Sequence, residues 1–410
     1  MSSNPEPPPP DTPPSPRSLA TLGVYLVLIT ALARLGTSLY LPALPGISGE
    51  LHLSAHQLSF TMTAYLLTFA IASVFLGPLS DHFGRQRMVQ GGIGIFLIGS
   101  LCSAVAQGYG LLLAGRILQA IGGTAIQVSS RAMTRDAFSD KQMIGLLGWM
   151  ATVTGLTPIL APVLGGLITQ ACGWRSNFYL LTGVTLLVMI SSNHLSHETL
   201  PPEKRTPIHM LDVLNAYFAM LKSSSFIVPL IPVMLCFAVQ GTYLVASPFI
   251  FIRVLHMLPA MFGLTCILLV GGLMTGRFIC LYMVEKRGDY VTFLTGCMIA
   301  FSGGLLSLAI IGLNWTGATP LLTAATLFCI GFGTLLPIGM KTGLSAFRKR
   351  VGASSALYGC LTLGATAAGS AIAGSLLNQS ERDIRTLCIV TAAAGSLILL
   401  SGLMSRHKVG

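Results

Sequence analysis

Charge is what this chain has least of. Of its 410 residues only 9% are Asp, Glu, Lys or Arg, while 53% are hydrophobic. A water-soluble domain carries about 25% charge, and the mean hydropathy here is +0.76, so a globule dissolved in water is excluded. Acids are scarcer than bases, 13 against 24. The nine cysteines contain no CxxC pair, which leaves them as small packing residues rather than a metal or redox set. HExxH, GxSxG and Walker loops are missing, and Gly339-Met-Lys341-Thr342 has the wrong spacing for the last. No enzyme chemistry, cofactor or metal site is expected.

What the chain has is apolar runs of about 20 residues, each long enough to cross a ~30 Å hydrocarbon core as a helix with its backbone polar groups satisfied internally. Twelve spans are predicted, at 19–42, 58–77, 88–107, 110–131, 144–168, 175–193, 226–252, 260–284, 290–312, 318–340, 352–377 and 383–404. With the N-terminus inside, Arg175, Arg253, Arg382 and Arg385 fall outside and Arg34, Arg116 and Arg277 within spans. The remaining Lys and Arg lie on the inner side. That bias is the positive-inside rule and places both termini in the cytoplasm. It accounts for the net charge of +11 through topology, so no nucleic-acid partner is expected.

The predicted organisation is a Pro-rich, disordered tail (1–18), six spans (19–193), a linker (194–225), six more spans (226–404) and a cytoplasmic tail (405–410). The tail, with eight prolines in its first 17 residues, has no signal-peptide pattern. In the linker, Leu211, Leu214, Phe218 and Leu221 recur at helical spacing, predicting a short helix on the inner membrane surface. Asp81-His-Phe-Gly84 follows span two and Glu285-Lys-Arg-Gly288 follows span eight, an echo that points to two related six-helix halves.

Several residues are hard to explain as lipid-facing packing. Gly77-Pro-Leu-Ser-Asp81-His-Phe-Gly84-Arg85-Gln-Arg87 is a short charged hinge. Gly84 allows a tight turn, and Asp81 can pair with an arginine or accept the N–H groups of a neighbouring helix N-terminus. In span four, Arg116, Gln119, Gly123 and Gln127 share one helix face; a buried arginine there is expected to face a cavity, as is Arg34 of span one. Thr61, Tyr65 and Thr68 of span two and Tyr243 of span seven add polar or aromatic wall. In span five, Pro158 and Pro162 predict kinks, and Gly165 and Gly166 predict close helix approach.

These residues carry a resemblance. Tyr40-Leu-Pro42-Ala-Leu-Pro45, the Gly77–Arg87 hinge, Arg116-Ile-Leu-Gln119, Arg131-Ala-Met-Thr-Arg135-Asp136, Ala161-Pro162-Val-Leu-Gly165-Gly166, Gly173-Trp174-Arg175 and Glu198-Thr-Leu-Pro occur in order. The chain thereby resembles the major facilitator superfamily, and within it the bicyclomycin-resistance (Bcr/CflA) group of drug exporters. The resemblance implies an all-α fold of two pseudo-symmetric six-helix bundles, with spans one, four, seven and ten around a central site. It implies alternating access, a bacterial inner membrane and a monomer. Asp81, Gly84 and Arg85 with Gly77, Arg131, Asp136 and Glu285 would form the inner gate. Arg34, Arg116, Gln119, Gln127, Tyr65 and Tyr243 would contact a small-molecule substrate. Pro158, Pro162, Gly165 and Gly166 would form the hinge and the seam between halves.

One departure matters. Relatives usually carry an aspartate two residues before the tyrosine of Tyr40-Leu-Pro42; here that residue is Ser38, and none of the 13 acids lies in the interior of a predicted span. Proton antiport needs a titratable group in the cavity. Three readings stand: coupling moved to span ends such as Asp81 or Asp136; uniport or coupling to another ion; and a sensor that does not transport. Two deep arginines without an intramembrane acid favour an anionic or zwitterionic substrate. Export of small amphipathic molecules is expected, with an anionic-metabolite transporter as the alternative.

Overall fold

Helices dominate because apolar runs of about 20 residues satisfy their own backbone in lipid by forming helices. The computed structural model describes residues 16–205, 210–315, 317–347, 351–377 and 382–409; the expected Pro-rich tail lies almost wholly outside them. Among the described residues there are no strands.

The N-terminal half comprises α1 (Pro16–Ser38), α2 (Leu44–Glu50), α3 (Ala55–Phe83), α4 (Arg85–Ala104), α5 (Tyr109–Ala137), α6 (Asp140–Cys172) and α7 (Arg175–Leu195). The linker carries α8 (Met210–Leu221). The C-terminal half comprises α9 (Ser224–Pro248), α10 (Pro259–Gly312), α11 (Ala318–Ser345), α12 (Val351–Leu376), α13 (Arg382–Met404) and α14 (Arg406–Val409). Gly288, with φ +79°, splits α10 into two membrane-length arms. Counting those arms separately and leaving out the short α2, α8 and α14 gives twelve crossings, so both described ends lie at one face, the terminal face.

Several predicted boundaries move, each for a local reason. Span one was expected to run to residue 42, but α1 stops at Ser38. A 3₁₀ turn (Leu41–Ala43) and α2 then fold over the far end, each opened by proline at its first positions. Span seven passes Pro248 into a π-helical turn, Phe249–Val254. The 77–87 hinge is mostly helix. α3 continues through Pro78 to Phe83, α4 starts at Arg85, and Gly84 alone makes the corner at φ +99°, ψ +149°, a conformation open essentially to glycine. Within residues 405–409, Ser405 Oγ lies 3.4 Å from the Val228 carbonyl, and Val409 is buried.

The linker helix α8 turns Tyr217 and Met220 into the C-terminal core, while Phe218 and Leu221 stay exposed. The halves meet most closely at the far end. A Cβ on Gly166 of α6 would lie 2.3 Å from the Pro259 carbonyl, and one on Gly263 of α10 would lie 2.5 Å from the Pro162 carbonyl. Only hydrogen fits at either position. Thr63 of α3 donates to Ser370 of α12 at 3.0 Å on the same side of the molecule.

Candidate functional site

Two sites stand out, a polar cluster at the terminal face and a cavity between the halves. In the cluster, the Gly84 corner frees the backbone N–H of Arg85 at the start of α4, where the helix dipole favours an anion. Glu198, just past α7, supplies it: its carboxylate accepts from Arg85 N at 2.9 Å and from the N–H groups of Thr199 and Leu200. Arg205 lies 3.8 Å from the other carboxylate oxygen. The buried Arg85 side chain reaches across the corner, donating from Nε to Asp136 of α5 at 2.9 Å and pairing with Asp81 one turn earlier. Gln86 donates to the Ser196 carbonyl at 3.0 Å. α3, α4, α5 and the linker are thus clamped at one point.

Asp81 was expected to pair with an arginine or to accept at a helix N-terminus. The pair with Arg85 is present, and the α4 N-terminus is held by Glu198 instead. Glu198 lay in a quoted motif without a role; only the fold brings it beside a residue 113 positions earlier. Arg131 is exposed and joins no ion pair among the described residues, and Glu285 likewise. In the second half the bridge near Gly288 is made by Asp289 and Lys341, at 2.7 Å.

The cavity, about 280 Å³, has walls from both halves. The N-terminal half contributes Arg34, Thr37, Ser38, Tyr65 and Thr154 to its lining. The C-terminal half contributes Phe237, Tyr243, Phe328 and Phe332, with Cys266, Cys329 and Cys388. Phe237 and Phe332 pack edge to face at 5.0 Å. Pro158 and Pro162 of α6 line it as well.

A family description, Major Facilitator Superfamily, matches residues 26–370. The chain belongs to that superfamily. Among relatives of this major facilitator protein is the multidrug resistance protein MdtL of Klebsiella pneumoniae (strain 342), 28% identical over 374 residues, 89% of this chain and 91% of the relative. The uncharacterized MFS-type transporter YdgK of Bacillus subtilis (strain 168) is 25% identical over 403 residues, covering 97% and 98%. Among solved structures, a peptide transporter POT in complex with sulfate superposes with a TM-score of 0.76 at 14% identity, covering 96% and 95%. A bacterial homologue of the human lysosomal transporter Spinster, in an inward-facing and unoccupied conformation, gives 0.70 at 14%, covering 97% and 96%. At such identity these structures share the fold. The chain is a multi-pass membrane transporter protein and not an enzyme.

Within this major facilitator fold the expected substrate wall needs correction. Span four, α5, supplies none of the cavity lining; spans one, seven and ten do, joined by spans two, five, eight, nine, eleven and twelve. Arg116 is 0% exposed. Its guanidinium lies 4.3 Å from the centroids of both the Tyr40 and Tyr65 rings, and it donates at 2.7 Å to the Gly36 carbonyl and to Gln119 Oε1. Gln119 in turn donates to Ser100 at 2.8 Å. The two rings stabilise the cation without a carboxylate, so Arg116 and Gln119 fasten α1, α3, α4 and α5 together instead of facing the cavity. Helical spacing puts a residue on a face; it does not say which neighbour covers that face.

Arg34 keeps its cavity position. With the Gln127 amide oriented by its hydrogen bonds, the amide oxygen lies 3.2 Å from Arg34 Nε and 3.1 Å from Nη2. Gln127 therefore holds the arginine from behind. Tyr65 and Tyr243 line the cavity, and the buried Tyr243 hydroxyl has no hydrogen-bond partner among the described residues.

Proposed function

We propose that this protein exports small amphipathic molecules, drugs included, across a bacterial inner membrane by alternating access, and that it belongs with the bicyclomycin-resistance type of exporter. The observation that carries this is the cavity. Both halves build it, its lining is mostly apolar and aromatic, and a cation, Arg34, lines it. That composition suits ligands with an apolar body and a polar end. MdtL, a multidrug resistance protein, is a relative over nine-tenths of its length, which supports the drug-export side.

In this reading the terminal face is cytoplasmic, as the bias of Lys and Arg implies, and the Gly166–Gly263 seam closes the outer side. The Arg85 cluster is the inner gate: it must hold α3, α4 and α5 as one body while the halves rock. The protein works as a monomer, since the cavity is complete within one chain. Proton coupling through the cavity has no carboxylate to use among the described residues, because Ser38 stands at the expected acid and no Asp or Glu lines the walls.

The test is drug accumulation in a bacterial strain lacking its main efflux pumps. Expression of the protein should lower accumulation of amphipathic compounds. Gly166→Leu, which forces the outer seam apart, should abolish protection while the protein still reaches the membrane. Binding of such compounds to purified protein with no flux in proteoliposomes would make it a sensor and sink the exporter reading.

A further inference from the structure

Among the described residues, Arg34 is the one charged side chain that lines the cavity. It makes no ion pair among the described residues and is hydrogen-bonded by the neutral amide of Gln127. No Asp or Glu lines the walls among the described residues. Arg116, the other deep cation of this bundle, is already enclosed by two tyrosine rings and two hydrogen bonds and is closed off from any ligand. Phe237, Phe328 and Phe332 line the same cavity from the other half. A guanidinium and aromatic rings that share a cavity of about 280 Å³ are completed by an anion with a flat apolar body, whereas a cation there would meet repulsion and find no carboxylate among the described residues.

Resting on the exporter reading, we infer that the substrate is a compact aromatic organic monoanion, seated with its anionic end on Arg34, and that the membrane potential alone drives it outward. The charge balance is simple. Protein charges return to their starting positions over a complete transport cycle, so the net charge moved is that of the substrate, one negative charge outward. An inside-negative potential favours that movement. No proton or sodium ion has to be bound, which fits a cavity with no titratable carboxylate.

The experiment uses the full-length protein in proteoliposomes with naphthalene-1-sulfonate, whose charge is fixed at all usable pH values. N-methylquinolinium serves as the matched cation and 1-naphthamide as the neutral analogue. High external potassium with valinomycin makes the lumen positive. A potential of ~59 mV should give about tenfold accumulation of the sulfonate at equilibrium. With the potential clamped at zero, a pH gradient should give none. Arg34→Gln should weaken sulfonate binding by about tenfold or more, a charge-assisted hydrogen bond being lost, and leave 1-naphthamide binding within about twofold, with partial rescue in Arg34→Lys. Equal loss of both ligands would mark Arg34 as structural and overturn the assignment. Accumulation that follows the pH gradient, or transport of N-methylquinolinium without the sulfonate, would overturn it while leaving the exporter reading intact. Failure of all three probes to move would remove the exporter reading and this inference together.

Discussion

The two halves turn the same corner with different locks. After α3, Gly84 breaks the helix at φ +99°; 204 positions later Gly288 breaks α10 at φ +79°. At the first corner a Cβ would lie 2.3 Å from Glu198 Oε2; at the second it would meet nothing within 4 Å. The first is tied by Arg85 to Asp81 and Asp136 and capped by Glu198. The second has one bridge, Asp289 to Lys341, with the charges in reversed order and Lys341 64% exposed. Duplicated backbone geometry therefore does not carry duplicated contacts. The linker between the halves adds its carboxylate to the first corner, and that makes the N-terminal corner the clamp.

Substitution at the corners gives the largest contrast. Gly288→Ala should cost only the backbone strain, about 1–3 kcal/mol. Gly84→Ala should cost that strain and also displace the Glu198 cap, roughly 1 kcal/mol more. Thermal unfolding of the purified variants in detergent measures both, and equal losses would erase the distinction. Next, Arg85→Ala removes one buried cation shared by two carboxylates and should destabilise by about 2–3 kcal/mol. The exchange Arg85→Asp with Asp136→Arg should not restore it, since Asp81 and Ser80 also bind Arg85, whereas Asp289→Lys with Lys341→Asp should be nearly silent.

Smaller effects sharpen the same contrast. Glu198→Gln keeps the size of the cap and loses its charge against the α4 dipole and Arg205, so a loss of about 1 kcal/mol is expected, along with slower export in the accumulation assay. Lys341→Ala opens an exposed bridge and should cost no more than about 1 kcal/mol, with export unchanged. A Lys341→Ala variant as impaired in export as Arg85→Ala would mean that both corners gate.

Much of the molecule was legible from residue order. Long apolar runs with few charges force helices, and glycine at 84 and 288 marks corners because those backbone angles exclude side chains. Adjacent glycines at 165 and 166 mark a close approach for the same steric reason. The cavity was legible only in part. Arg34, Tyr65 and Tyr243 share helix faces that do meet it, but Arg116 and Gln119 share an equally polar face that does not. Asp289 replaced Glu285 in the second bridge because reach to Lys341 depends on how α10 and α11 pack. The aromatic and thiol wall gave no sequence signal, since Phe and Cys at helical spacing read as ordinary core.

By itself the sequence determined the solvent, the number of crossings, the corners and the missing carboxylate, all consequences of composition and local backbone chemistry. The tertiary structure decided which arginine is free. Arg34 and Arg116 are alike as residues on apolar helices. Packing gives one two tyrosine rings and a carbonyl, and gives the other an amide on one side and the cavity on the other. Burial by neighbours distant in the chain sets that difference, and no local pattern encodes it.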